Sequence, residues 1–152
     1  MERRRFSAAL QGQNLRFTGA GEGGSARARV GFLLLEHFSL PAFTQALDTL
    51  VTANLIRSES FAVSNFSLSG EPVTSDLGLL ICPDLALASA ARQGLDLLVV
   101  CGGLRTPLRS SAALREALQD VASRGVALAG LWNGAWFLGD AGLLDGYRCC
   151  IK

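Results

Sequence analysis

The stretch VALAGLWNGAWFLGDAGLLDG, Val126–Gly146, decides how this chain is read. An apolar run of the kind that forms a strand buried in a parallel sheet stops at Gly130-Leu131-Trp132-Asn133-Gly134 and turns straight into a helix. This is the shape of a G-x-nucleophile-x-G elbow, the strained strand-to-helix turn that lifts its middle side chain above a sheet. Enzymes with this turn place Ser or Cys in the middle. Here the residue is Trp132.

Working outward, the same alternation recurs. RVGFLLL (Arg29–Leu35) is a continuous apolar run, followed by Glu36-His37-Phe38. Ser39 and Pro41 then suit a helix start, and Phe43, Ala46, Leu47, Leu50, Val51 and Asn54 recur at helical spacing over Leu40–Ile56. Ser60–Gly70 reads as a strand, and Glu71–Asp84 as turns around short extended pieces. LDLLVVCGG (Leu95–Gly103) is a second apolar strand ending in a glycine pair. A Ser-capped helix follows, with Ala113, Leu114, Ala117, Leu118 and Val121 on its apolar face and Gly125 as its stop. Gly146–Ile151 reads as the start of a further strand. The order predicts an α/β domain with a mainly parallel sheet between helices. Ligands of such sheets bind at the carboxyl ends of the strands.

Composition narrows the classes. The chain has 152 residues, 49% of them hydrophobic, which suits one domain with a sizeable core. A net charge of +1 gives no basic field for nucleic acid, and no apolar run approaches the ~18 residues of a membrane span. Cys82, Cys101, Cys149 and Cys150 lack metal-ligand spacing, and His37 is the one histidine, so neither a metal nor a cofactor is expected. The cysteines read as reduced thiols of a cytoplasmic protein. Residues 1–28 are Arg-rich and short of acids and apolar runs. They read as a disordered leader rather than a secretory signal, with residues 29–152 as the folded unit.

Three segments, VGFLLLEHFSLPAFTQALDTLVTAN, DLLVVCGG and RGVALAGLWNGAWFLGDAGLLDGYR, resemble in order and spacing the class I glutamine-amidotransferase-like superfamily, PfpI-like branch. The closer likeness is to the amidase-like effector domain of GlxA-type regulators of the AraC family, with AGLLDGYR the most specific piece. The resemblance spans Val30–Ile151. It implies a flavodoxin-like three-layer sandwich with helices on both faces of the sheet. In that family a DNA-binding domain of two helix-turn-helix units follows. None is present in this chain, and the effector domain reads as truncated at its C-terminal end.

The resemblance places Trp132 at the nucleophile position, where an indole offers no nucleophilic heteroatom for acyl transfer. The region matching the PfpI-like glutamate is Phe38–Phe43, with Ala42 in its place. The matching histidine falls where the chain reads Ile151-Lys152. Cys101, with His37 as base, is the one substitute dyad, and it requires their strand ends to be neighbours. The expected function is therefore a non-catalytic sensor. Its partners are a small-molecule effector and a second copy, with DNA reached only through a downstream domain and no membrane contact. A thiol-dependent hydrolase or hydratase and a truncated, inactive regulator fragment are the alternatives. The expected ligand-binding residues are Glu36, His37, Phe38, Cys101, Gly102, Gly103, Leu104, Trp132, Asn133 and Gly134. Gly102 and Gly103 N–H groups and the helix start at Asn133 suit a carboxylate, and the Trp132 face suits an organic cation, so a small zwitterion is the expected ligand. Two roles stay open for Trp132, lining the pocket or plugging it. Trp136 and Phe137 read as core. Arg105, Arg109, Arg115 and Arg124 read as a solvated face.

Overall fold

The computed structural model describes residues 28–57, 59–90 and 92–150. The proposed leader up to Arg27, and the Ile151-Lys152 pair at the histidine position, lie outside the described residues. Along the chain run β1 (Ala28–Leu34), α1 (Leu40–Ile56), β2 (Phe61–Ser67), β3 (Val73–Thr74), β4 (Leu80–Ile81), β5 (Leu85–Ala86), α2 (Leu87–Ala90), β6 (Leu97–Cys101), α3 (Ala112–Ser123), β7 (Ala127–Leu131) and α4 (Gly134–Asp140). Five strands form one sheet in the order β5-β2-β1-β6-β7, every pair parallel. β3 and β4 form a separate antiparallel pair.

The strands are apolar on both faces because both faces are covered. In β1, Val30, Phe32 and Leu34 enter the layer that holds Phe43 of α1, while Leu33 enters the layer with Leu114, Leu118 and Val121 of α3 and Phe137 and Leu138 of α4. β6 alternates in the same way, with Val99 and Cys101 on the α1 side and Leu98 and Val100 on the other. This is the expected three-layer sandwich with a mainly parallel sheet. The period-2 side-chain alternation of a strand fixes which helix each residue meets.

Several local expectations are corrected. Ser39 is the N-cap of α1, but its side chain makes no capping hydrogen bond. Asp76, from the β3–β4 turn, caps the helix at a different donor: Leu40 N–H donates to Asp76 Oδ1 at 3.0 Å. A carboxylate is the stronger acceptor and suits the positive end of a 17-residue helix. Asn54 is buried on α1 although polar, because it both donates to Phe61 O (2.8 Å) and accepts from Phe61 N–H (2.9 Å), extending the hydrogen bonding at the start of β2. Ser111 caps α3 as expected, accepting from Leu114 N–H at 3.1 Å, but Ala113 is exposed and not part of its buried face. β7 is an edge strand among the described residues and only partly buried. Tyr147–Cys150 form no strand; a turn with Tyr147 N–H on Leu144 O closes there instead.

Candidate functional site

The strand order reverses at β1, which pairs with β2 on one side and β6 on the other. The chain leaving β1 and the chain leaving β6 therefore diverge from the same sheet end. At such switch points open α/β sheets commonly bind their ligands. The elbow after β7 lies one strand further along, roughly 10 Å from β1 at two strand spacings.

The elbow is a true one. Trp132 has φ 53°, in the left-handed region that an L side chain enters only under strain. Its flanking glycines are required by packing. A Cβ at Gly130 would overlap the backbone of Ala135, and one at Gly134 would overlap the carbonyl of Val100. His37, at the end of β1, is likewise at φ 57°. So two strained non-glycine residues flank the β6 loop.

The three loops are sewn together by backbone hydrogen bonds. Leu35 N–H donates to Cys101 O (3.1 Å), Ser39 N–H to Gly102 O (2.9 Å) and Gly102 N–H to Leu131 O (3.2 Å). Gly103 N–H donates to Asn133 Oδ1 at 2.9 Å. A Cβ at Gly103 would press on the backbone of His37, Phe38 and Ser39, so only glycine fits where the β1 and β6 loops touch. Both glycine N–H groups are thus satisfied inside the fold, which corrects the expectation that they stand open to a ligand. α4 is seven residues long, with Asn133 at its N-cap making no side-chain cap bond. Its dipole is correspondingly small.

The ten expected site residues divide into an exposed set, a set where the loops join and a set in the core. Glu36 and His37 side chains are 52% and 43% exposed, with Nε2 and Oε1 4.0 Å apart. Leu104 is exposed, and Trp132 is 47% exposed. Gly102 and Gly103 are buried and Asn133 is half-buried where the loops join. Phe38, Cys101 and Gly134 are buried. Phe38 packs edge-on against Phe43 in the core, its ring 5.6 Å away, rather than facing a ligand. Phe137 is buried and Trp136 half-buried, meeting edge to face at 5.0 Å as core residues do. Of the arginines, Arg115 pairs with Asp140 (3.2 Å) and Arg124 with Asp120 (3.2 Å) on the surface, as a solvated face requires.

Cys101 and His37 do sit at neighbouring strand ends, since Leu34 pairs with Cys101. The thiol is nonetheless turned into the α1 layer, 1% exposed, with Sγ directed to Val99 O at 3.7 Å. Burial raises its pKa from 9.0 to about 12, so at neutral pH it is a protonated, inert thiol. Iodoacetamide is expected to label the exposed Cys82, Cys149 and Cys150 and to spare Cys101, as read by peptide mass. The linkage has a definite sign. The folded pKa lies above the unfolded one, so the thiol's contribution is intact below about pH 9 and is lost as the pH climbs toward 12. Urea midpoints compared at neutral and alkaline pH should fall less in Cys101→Ala than in the parent. An equal fall would show that this thiol does not carry the effect.

Some features of the site were not read from the sequence. The carboxamide of Asn133 reaching across to the β6 loop is one. The Asp76 cap on α1 is another. A third is Thr106, 5% exposed, whose Oγ1 has no hydrogen-bond partner among the described residues. Its N–H closes a turn on Gly103 O at 3.0 Å. An orphan hydroxyl beside the glycine pair is visible only in three dimensions. Among the described residues no cluster of three His, Cys, Asp or Glu could hold a metal, and no helix is long and apolar enough to cross a membrane.

Comparison with known proteins gives a consistent picture. The model of the DJ-1/PfpI family matches residues 30–151. The chain is 35% identical over 123 residues to the HTH-type transcriptional regulator GbdR of Pseudomonas aeruginosa, covering 80% of this chain and 33% of that protein. It is 31% identical over 119 residues to the HTH-type transcriptional regulator GlxA of Rhizobium meliloti, covering 77% and 36%. Among solved structures, an AraC family transcriptional regulator from Pseudomonas putida superposes with a TM-score of 0.76 at 58% identity, covering 82% of this chain and 66% of that one. The chain spans about a third of the length of the curated regulators it matches.

Proposed function

The chain belongs to the DJ-1/PfpI family, and from that premise we propose that it is the sensing domain of an AraC-type transcriptional regulator. It binds a small metabolite, performs no covalent chemistry, acts as a homodimer and reaches DNA through a separate domain. The relatives named as transcriptional regulators support the regulatory part of this reading. One observation carries the reading of a binding site without covalent chemistry. The elbow keeps its strained turn and both tightly packed glycines, yet the residue at its tip is a half-exposed indole. Strain of this kind costs about 1–3 kcal/mol, persists only where the surrounding structure holds it, and clusters at ligand sites. The absence of a thiol at the tip, and the burial and protonation of Cys101, support binding over covalent chemistry.

An indole face attracts organic cations by cation–π interaction, worth about 0.5–2 kcal/mol. The exposed Glu36 carboxylate, at the end of β1, favours the same charge. A small zwitterion, its cationic group on Trp132 and its carboxylate toward the loops, fits this arrangement. The test is calorimetric titration with amino acids, quaternary ammonium carboxylates and neutral controls. Zwitterions are expected to bind, and Trp132→Ala to weaken them about tenfold. Binding of only uncharged or purely aromatic compounds would sink the reading. So would thiol-dependent amide turnover that Cys101→Ser abolishes.

A further inference from the structure

β7 (Ala127–Leu131) is an outermost strand of the main sheet among the described residues. Edge strands of native sheets are normally very short, charged, interrupted by proline or covered. β5, at the opposite edge, is two residues long. β7 has none of these protections among the described residues. No residue from Gly125 to Gly139 is charged, and none is proline. Ala127 and Gly130 are exposed, and Leu128, Ala129 and Leu131 are half-buried. Two hydrogen bonds fix which way its backbone faces. Ala127 N–H donates to Asp96 O at 3.0 Å, and Leu131 O accepts from Gly102 N–H at 3.2 Å. Ala127, Ala129 and Leu131 therefore turn their peptide groups to β6. By the alternation of a strand, Leu128 and Gly130 turn theirs to the open edge. The described chain beyond α4 supplies no strand to pair there, since Tyr147–Cys150 form none.

We infer that β7 is the surface on which two copies of this chain join: the strands run antiparallel about a twofold axis at Ala129, with Leu128 of each copy opposite Gly130 of the other. The inference rests on the homodimer reading above and gives that dimer its surface. A twofold axis makes a strand meet itself antiparallel, and the residue on the axis faces its own copy. Centring on Ala129 pairs the whole of β7; an axis at Leu128 or Gly130 would leave one end of the strand unmatched. The backbone directions fit this register. Leu128 and Gly130 of one copy exchange N–H···O=C bonds with Gly130 and Leu128 of the other, as hydrogen-bonded antiparallel pairs do. Ala129, whose peptide groups serve β6, falls at the intervening non-hydrogen-bonded pair. Cα atoms approach there to about 4.5 Å, which suits a methyl side chain. No like charges meet, because the nearest flanking charge, Arg124, is already paired with Asp120 at 3.2 Å. On the α1 side of the sheet, Ala127, Ala129 and Leu131 of one copy continue into Leu131, Ala129 and Ala127 of the other. Apolar surface that α1 leaves only half-buried is thereby covered. Each elbow then lies beside the start of the other copy's β7, so the interface borders both candidate sites.

Sedimentation equilibrium of the full chain tests this surface, with far-ultraviolet circular dichroism as the check on folding. The parent chain is expected to dimerise. Its Leu128 and Gly130 amides should exchange with solvent more slowly as the concentration rises, while the Ala129 amide, bonded within its own sheet, should not respond. Ala129→Lys and Ala129→Glu each set like charges directly opposite one another across the axis, and each should weaken association more than about tenfold. An equimolar mixture of the two should restore it, because lysine then faces glutamate. Should either variant fail to fold, Ala127→Asp repeats the single-variant test from an exposed position by setting a charge against Leu131 of the other copy. A dimer that ignores these substitutions overturns the surface and leaves the homodimer reading standing. A parent chain that stays monomeric overturns both, and protected Leu128 and Gly130 amides in that monomer would assign the edge to a strand of the same chain.

Discussion

Gly134→Ala is expected to cost about 3 kcal/mol or more, enough to lower the melting temperature by roughly 10 °C in a domain of this size. Gly134 opens α4 and lies directly against the Val100 carbonyl of β6. A Cβ there meets backbone on the neighbouring strand, so no side chain can swing away to make room. The helix must lift from the sheet, or β6 must shift and disturb its pairing with β7, where Val100 faces Gly130. Overpacking of a close core contact is destabilising even where side chains can move. Gly125→Ala is the matched control. Gly125 is at φ 79° with open space around it, so alanine there carries only the dihedral penalty of about 1–2 kcal/mol. Urea denaturation of the two variants separates steric from conformational cost. Equal midpoints would show that the α4–β6 contact is looser than described.

Phe43→Ala is the second large effect, at about 3–5 kcal/mol. α1 is 17 residues long yet buries only Phe43 and Asn54 fully. Phe43 meets Phe32 edge to face at 5.4 Å and Phe38 at 5.6 Å, so one ring joins the helix to the middle of β1 and to its exit. Removing it leaves α1 held by the Asp76 cap, the Asn54 pair and half-buried leucines. Amide hydrogen exchange should therefore show α1 opening ahead of the sheet, a local transition below the global one. Phe43→Leu keeps most of the volume and should cost under half as much. Retained α1 protection in Phe43→Ala would refute this account of how the helix is anchored.

How much of this was legible beforehand depended on the range of the interaction. The bounds of α1, Leu40–Ile56, follow from helical spacing alone, because that signal is local. The elbow was legible because a glycine two residues either side of Trp132 is a packing demand written directly in sequence. The family resemblance drawn from AGLLDGYR and its companion segments agrees with the relatives found. The use of the glycine N–H groups is not legible in the linear chain. Gly102 and Gly103 look like free donors until Leu131 O and Asn133 Oδ1 are brought to them by strand pairing, which the linear chain does not display. The Asp76 cap on α1 is equally hidden, since that acceptor is 36 residues from the Leu40 N–H that it binds. The neighbour relation of Cys101 and His37 needed the sheet order, and the inertness of the thiol needed its side-chain direction as well.

The hydrogen bonds that sew the three loops together also bear on how the chain reaches its native state. Every pair in the main sheet is parallel, so no two of its strands are joined by a tight hairpin. Each pairing closes a long loop before any contact offsets the lost entropy. The Ser39–Gly102, Gly102–Leu131 and Gly103–Asn133 bonds need β1, β6 and β7 all in register at once. They belong to the late, unfolding-limiting side of the barrier, and substitutions at Asn133 should speed unfolding while leaving the folding rate nearly unchanged. A ligand seated on those loops would recognise only completed chains. Its expected effect is a slower unfolding rate at an unchanged folding rate.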